Sequence, residues 1–488
     1  MRIPFPKYIP LRPLIVFLTV MLFFQLVEGT DAVFALLMIV AQVAAIAAFN
    51  ILGGMTHMSG AFCFFALLPN VTVPELTHMI LGQPGDFNLE HPIMTAGVCA
   101  VFFSGVMGAA WLTSLAKPVE PLLDRIPFSI LELRIIAAIA AVYGVAVNFA
   151  VLRLNGPLPD GTLIAALYHF CPDMLAIAVI LATYVRLNTT NGRSCMSWYI
   201  GILLVLTVLP GLLNAQKEGM LTPILCWLLV VAASGHRFSR VGVLALLGAV
   251  AVLWSFVFPF STNARFPVRQ AETVADKVGL IFAYIQDPNQ FPDAISYADS
   301  SEEFGTQSSK VNIVRRYSLL KSIDMLVGAD LKAGYTSIDR YLPILISVVP
   351  HALWPDRPDI IHSNELGHKA GFPMSEDDEE TGIAIGSPAL YFDIGGWLAL
   401  MIYPIICFLL FFYATIRLIG RTTAGIWALV PIGTEAHISS VASPAAMFGL
   451  VVQFLGMFFF AVAILKLTGY LMQSLLSRSV AIQETTIR

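Results

Sequence analysis

The sequence predicts an all-α polytopic membrane protein, with about twelve transmembrane helices and one large polar loop held over them. Three observations lead there. First, the 488 residues are 57% hydrophobic and only 12% charged, with a mean hydropathy of +0.78; soluble chains carry about 25% charged residues. Second, apolar stretches of membrane-spanning length, about 20 residues, recur along the chain. Third, residues 261–391 break that pattern. They hold eleven of the 28 Lys and Arg residues, together with 18 acidic residues. Such a stretch is far longer than a connection needs to be, and long loops on a rigid scaffold are where function concentrates. The spans tile the chain so closely that residues 1–488 read as a single integral membrane domain, with 261–391 inserted between its ninth and tenth helices.

The spans are expected at 13–27, 32–52, 53–70, 93–116, 134–152, 161–185, 197–214, 219–235, 240–260, 392–417, 422–440 and 444–466. The first is short, which tilt or local thinning accommodates. Arg2, Lys7 and Arg12 precede it and no small-residue cleavage site follows it, so it reads as an uncleaved helix. Gly53, Gly54 and His57 dilute the third span; Pro431, Glu435 and His437 dilute the eleventh. Orientation follows from the basic residues of the short loops. With the N-terminus inside, the inner loops and helix ends collect Lys117, Arg125, Arg134, Arg186, Arg193, Arg237, Arg240, Arg417 and Arg421. The tail adds Lys466, Arg478 and Arg488, whereas the short outer loops keep only Arg153 and Lys217. Both termini are therefore expected in the cytoplasm, and loop 261–391 outside it.

Several chemistries are disfavoured. The six cysteines lie in or beside apolar segments, form no CxxC pair and leave the long loop free of thiols, so neither a disulfide framework nor a soft-metal site fits the spacing. No glycine-rich phosphate loop of the GxxxxGK type occurs, and no internal repeat is evident. Asp377 and Asp378 sit in an acidic run rather than in a DxD pair that would hold a metal-bound nucleotide sugar.

Within the loop three segments stand out. Glu272–Ile285 places Val274, Val278, Ile281 and Ile285 at the spacing of a helix lying on the membrane surface or on the other spans. Val311–Val327 sets Arg315 and Arg316 among Ile313, Val314, Leu319, Leu320 and Ile323. Tyr341–Val349 is nearly continuous apolar sequence and leads into Val-Pro-His-Ala-Leu-Trp-Pro-Asp-Arg-Pro, 349–358, where three prolines disfavour a regular helix. That path presents His351, Trp354 and Arg357. A guanidinium makes paired hydrogen bonds to phosphate and keeps its charge. Tryptophan offers a flat face to a sugar or a lipid, and histidine exchanges a proton near neutral pH. Together these functions point to a polyprenyl-phosphate-linked sugar.

Each residue also has a plainer reading. Paired arginines on an interfacial helix contact lipid headgroups, and Trp354 anchors at the interface. His362 and His368 read as solvated loop residues, and Glu376–Glu380 as a solvated turn. Lys217, in Asn-Ala-Gln-Lys-Glu-Gly at the outer end between spans seven and eight, either snorkels to the headgroups or faces the same outer cavity as the loop.

The run Tyr341–Pro358, with its Trp-Pro-Asp-Arg-Pro element, resembles the signature of Wzy-like oligosaccharide repeat-unit polymerases of the O-antigen polymerase and ligase superfamily. Arg315-Arg316-Tyr317-Ser-Leu-Leu resembles that family's arginine-bearing helix. Gly386–Gly396 is similar to the segment leading its loop into the next helix, and Lys217-Glu-Gly resembles a position where relatives carry a basic residue before glycine. Arg357 stands where lysine is commoner, and Lys217 where ligases often have arginine.

The resemblance implies a GT-C-like fold in a bacterial inner membrane. It also implies a metal-independent, cofactor-free glycosyltransferase, of the inverting type, that moves a glycan from undecaprenyl pyrophosphate to a hydroxyl of a lipid-linked repeat unit. Lys217, Arg315, Arg316, Tyr317, Trp354 and Arg357 would bind pyrophosphate and glycan. His351, His362 or Glu365 would serve as base. Expected partners are the undecaprenyl-pyrophosphate-linked oligosaccharide, the bilayer, and chain-length-regulator and flippase proteins, with no nucleic acid. Three rivals remain: a ligase using another acceptor, a lipid-linked oligosaccharide transporter or flippase, and a non-catalytic partner of export proteins.

Overall fold

A computed structural model describes residues 3, 5–117, 120–122, 128–154, 174–271, 273–288, 318–341, 363–372, 383–420, 426–434 and isolated positions between 441 and 462. Among the described residues the chain is helical, with no β-strand. Six helices are long and apolar enough to cross a membrane: α2 (Ala32–Ile51), α3 (Met58–Leu81), α4 (Pro92–Ser114), α5 (Ile130–Leu154, apolar through Leu152), α9 (Arg240–Ser261) and α15 (Gly396–Leu418). Shorter apolar helices are α1 (Leu11–Val27), α6 (Met174–Thr189), α7 (Trp198–Leu213) and α8 (Lys217–Ala233, apolar from Gly219). The loop contributes α10 (Arg265–Gln270), α11 (Val274–Gln286), α12 (Leu320–Ala333), α13 (Ser363–Lys369) and α14 (Ser387–Asp393); α16 (Leu429–Thr434) follows α15. The spans expected at 422–440 and 444–466 lie largely outside the described residues.

The third span differs from expectation. Placed at 53–70, it instead starts at Met58 and continues to Leu81. Pro69 and Pro74 each remove an amide donor, and a π turn over Leu68–Thr72 absorbs the missing bonds between the two α-helical halves. The extension carries Glu75 into the bundle, where it is 3% exposed. Gln42 of α2 donates to its carboxylate, and Gln25 of α1 donates to its backbone carbonyl at 3.2 Å. Glu75 is thus an ionisable residue buried within a helix long and apolar enough to cross a membrane.

The core is aromatic. α4 packs along both α2 and α15, and Phe62, Phe102, Phe408, Phe411, Phe412 and Tyr391 are fully buried between these helices and their neighbours. Phe62 meets Phe411 at 4.6 Å between ring centres, and Phe102 meets Tyr391 edge-on at 5.2 Å. Such pairs contribute about 0.5–1.5 kcal/mol each beyond the area they bury. Gly105 lets α4 approach α15 closely, since a Cβ there would stand 3.0 Å from the Pro404 ring. By contrast, α9 buries nothing along Arg240–Val252 and exposes Val241, Leu244, Leu247 and Val250, as a lipid-facing helix does.

Two of the loop helices have clear local causes. α11 confirms the helix expected at Glu272–Ile285. Thr273 starts it by accepting the Asp276 amide at 3.1 Å and donating to the Asp276 carboxylate at 2.6 Å. α12 begins at Leu320, within the segment Val311–Val327 singled out in the sequence, and runs six residues beyond it, to Ala333. Its Leu320, Ile323, Leu326 and Val327 are buried at 1% exposure or less. Asp324 lies on the same face. It accepts the backbone amides of Glu90 at 2.8 Å and His91 at 2.9 Å, and the Thr95 hydroxyl at 2.9 Å. A carboxylate from the loop therefore holds the two residues that lead into α4 and a hydroxyl of its first turn, at the positive end of the helix. Lys321 adds a bond to the Asn88 carbonyl at 2.7 Å, and the Leu319 amide bonds the Pro69 carbonyl at 2.8 Å. The loop is thereby seated on the π turn of α3 and the head of α4.

Candidate functional site

The described part of the loop converges on a buried cluster of charge. Asp330 near the end of α12, Lys369 at the end of α13 and Asp393 at the end of α14 come together with Tyr341 and Thr336. Both carboxylate side chains are fully buried, and the lysine side chain is 21% exposed. Lys369 Nζ lies 2.7 Å from Asp330 Oδ1, donates to Asp393 Oδ1, and donates to the Thr336 hydroxyl at 2.9 Å. The Tyr341 hydroxyl donates to Asp393 Oδ2. The Thr336 amide bonds the Asp393 carbonyl at 2.7 Å.

Local sequence explains each placement. Asp330 falls on the buried stripe of α12, in helical register with Ile323, Leu326 and Val327. Gly334, in the left-handed region, ends that helix. Ser337 caps the short turn Ile338–Arg340 that delivers Tyr341. Gly395 and Gly396 follow Asp393 and turn the chain into α15. Gly396 has φ +65 and no room for a Cβ, which would meet the Tyr335 ring at 2.6 Å.

The electrostatics are lopsided. Burial, then hydrogen bonding and repulsion from Asp393, push the Asp330 carboxyl up to about 8, against the pull of Lys369. For Asp393 burial works upward, but hydrogen bonds from Asp330, Lys369 and Tyr341 outweigh it and hold the carboxyl below its ordinary range. Lys369 is likewise desolvated, yet its two carboxylate partners raise it. The opposed directions favour one proton on the two carboxyls beneath the single ammonium. The Lys369 approach leaves both Asp330 oxygens without a well-directed hydrogen bond. We assign the proton to Asp330, which can then donate to Asp393. Burial first, then the two aspartates, raise Tyr341 above its ordinary value, so its hydroxyl stays a donor.

Of the residues expected in the site, Glu365 is described. It lies on α13, exposed to solvent, one helical turn before Lys369. Lys217 opens α8, and its side chain lies outside the described residues. His351, His362, Arg315, Arg316, Tyr317, Trp354 and Arg357 also lie outside them. What the described residues fix is the frame. Tyr341 immediately precedes segment 342–362, which carries His351, Trp354, Arg357 and His362, and α13 immediately follows it. Both flanks are tied to the single carboxylate of Asp393. Sequence reasoning did not find Asp330, Lys369 or Asp393. An aspartate in register with the apolar stripe of α12, and another between an apolar helix and a glycine pair, were the signals available. The chain matches no family model, no curated protein and no solved structure.

Proposed function

We propose that this chain is an oligosaccharide repeat-unit polymerase of the bacterial inner membrane, with a GT-C-like fold of about twelve spans and both termini in the cytoplasm. It takes a glycan from an undecaprenyl-pyrophosphate donor and passes it to the hydroxyl of a second lipid-linked repeat unit, at the outer face. The observation that carries this reading is the fastening of segment 342–362 at both flanks onto the head of α15. The proline-rich run 349–358, whose likeness to these polymerases comes from sequence, lies between those two flanks in the chain. The reaction needs cations for the departing pyrophosphate and a base for the attacking hydroxyl. Lys217, Arg315, Arg316 and Arg357 supply the first; His351, His362 or Glu365 supplies the second; Tyr317 and Trp354 hold the glycan.

Purified protein incubated with a synthetic lipid-pyrophosphate repeat unit should yield a product ladder. Single substitutions to alanine at Arg315, Arg316 and His351 should shorten it; unchanged long product in all three would remove them from the site. A ligase shares the architecture and differs in acceptor: its loss leaves lipid-linked polymer, whereas polymerase loss leaves single capped units.

A transporter reading draws on one observation, the buried Glu75 of α3 with its Gln42 partner, since ionisable residues within membrane spans mark transport paths. Movement of a lipid-linked glycan across liposomes without bond formation would favour it.

A further inference from the structure

A second buried lysine lies apart from the ion cluster. Lys277 of α11 is 6% exposed. It sits against a small separate core built from Leu213, Phe260, Val268, Ile281 and Tyr284. Its ammonium donates to the side-chain oxygen of Asn214 at 3.3 Å, and no carboxylate pairs with it among the described residues. Asp276, its neighbour in sequence, is turned to Thr273. Removing an ammonium from water without a counter-charge is costly, and burial lowers the lysine's pKa.

The surroundings narrow what the missing counter-charge could be. Val274, Val278, Phe282 and Ile285 recur on one face of α11 and are 37–60% exposed. By the helical step this stripe lies about a quarter turn from Lys277. An amphipathic helix of that kind lies along a bilayer surface with its apolar stripe among acyl chains. Asn214 ends α7, and three residues later α8 begins without any side-chain cap on its first amides. The ammonium therefore stands where apolar helices meet the headgroup layer, one donor used and two unassigned.

We propose that Lys277, with Asn214 beside it, holds the phosphate of a membrane amphiphile whose tail lies along the Val274–Ile285 stripe. This goes beyond glycan transfer, because the site exists whether or not a sugar is moved.

The test uses the full-length chain, purified in a neutral maltoside detergent and titrated separately with geranylgeranyl diphosphate, phosphatidylglycerol and inorganic pyrophosphate. Lys277→Met should weaken binding about tenfold, and Lys277→Arg by much less, because the charge-assisted bond survives in the second. Both should melt no earlier than the parent chain. Loss confined to the isoprenoid diphosphate assigns the site to a carrier lipid. Loss confined to phosphatidylglycerol assigns it to bulk lipid, and loss extending to inorganic pyrophosphate shows that the phosphate is recognised without its tail. Unchanged binding of all three by Lys277→Met overturns the proposal. So does earlier melting of both Lys277→Met and Lys277→Gln, which would give the lysine a structural role. Since no glycan enters the assay, a negative result leaves the ladder experiment untouched, and the converse holds.

Discussion

Among the described residues of the loop, Lys277 is buried and Lys369 partly so, and the two are opposites. Lys369 meets two aspartates, a threonine and, through Asp393, a tyrosine. Lys277 meets, among the described residues, one amide oxygen. The first is a closed network whose charges are neutralised within the chain. The second is an open one. Burial by itself therefore does not tell what a charged side chain is for; the count of its counter-charges does. A saturated cation fastens segments together, whereas an unsaturated one has capacity left for something that is not part of the chain.

The difference can be broken most forcefully at Lys369. Lys369→Met leaves two buried carboxyls with no cation, and should cost about 3–5 kcal/mol, read as a lower melting temperature in detergent. Adding Asp393→Asn to that variant should recover part of the loss, because the two sites share one network. Next comes the other carboxylate that seats the loop. Asp324→Ala strips bonds from the head of α4 and should cost about 2–3 kcal/mol, with faster amide exchange across Leu320–Ala333.

A smaller effect depends on pH. Asp330 keeps its proton in the folded chain up to about pH 8, whereas an unfolded aspartate releases it near pH 4. The folded state binds more protons through that window, so this group's contribution is full below about pH 4 and fades as pH climbs to about 8. Asp393, with its lowered value, acts the other way and is lost in acid. Asp330→Asn should flatten the decline of melting temperature between pH 5 and 8; an unaltered slope would show that the proton resides elsewhere. Tyr341→Phe removes one hydrogen bond to Asp393 and should cost about 1 kcal/mol. Lys277→Met should be neutral or slightly stabilising, since an apolar side chain of similar length suits that core. A penalty like that of Lys369→Met would erase the distinction between the two lysines.

The scaffold was legible because hydropathy reads directly on lipid: the spans at 32–52, 93–116, 197–214 and 392–417 correspond to α2, α4, α7 and α15 within a few residues. The third span was misplaced because Pro69 and Pro74 signal a break locally. The π turn that carries the helix past them is a tertiary accommodation, and so is the pairing that lets Glu75 enter the bundle. The amphipathic helix at 274–286 was readable from its period. The ion cluster was not, for each member comes from a different segment of the loop, and Asp330 looks like any surface aspartate until the other face of its helix is known. Glu365, carried as a fallback candidate base, belongs to the same short helix as Lys369, one turn before it.

The anchorage that Asp324 provides has a consequence for biogenesis. The ribosome makes helix Pro92–Ser114 long before it reaches residue 324, so the Glu90 and His91 amides that lead into it must wait, solvated or provisionally bonded, while more than two hundred further residues are synthesised. Nascent chains arrested before Leu320 should therefore show a protease-sensitive start to that helix, and chains arrested after Ala333 should not.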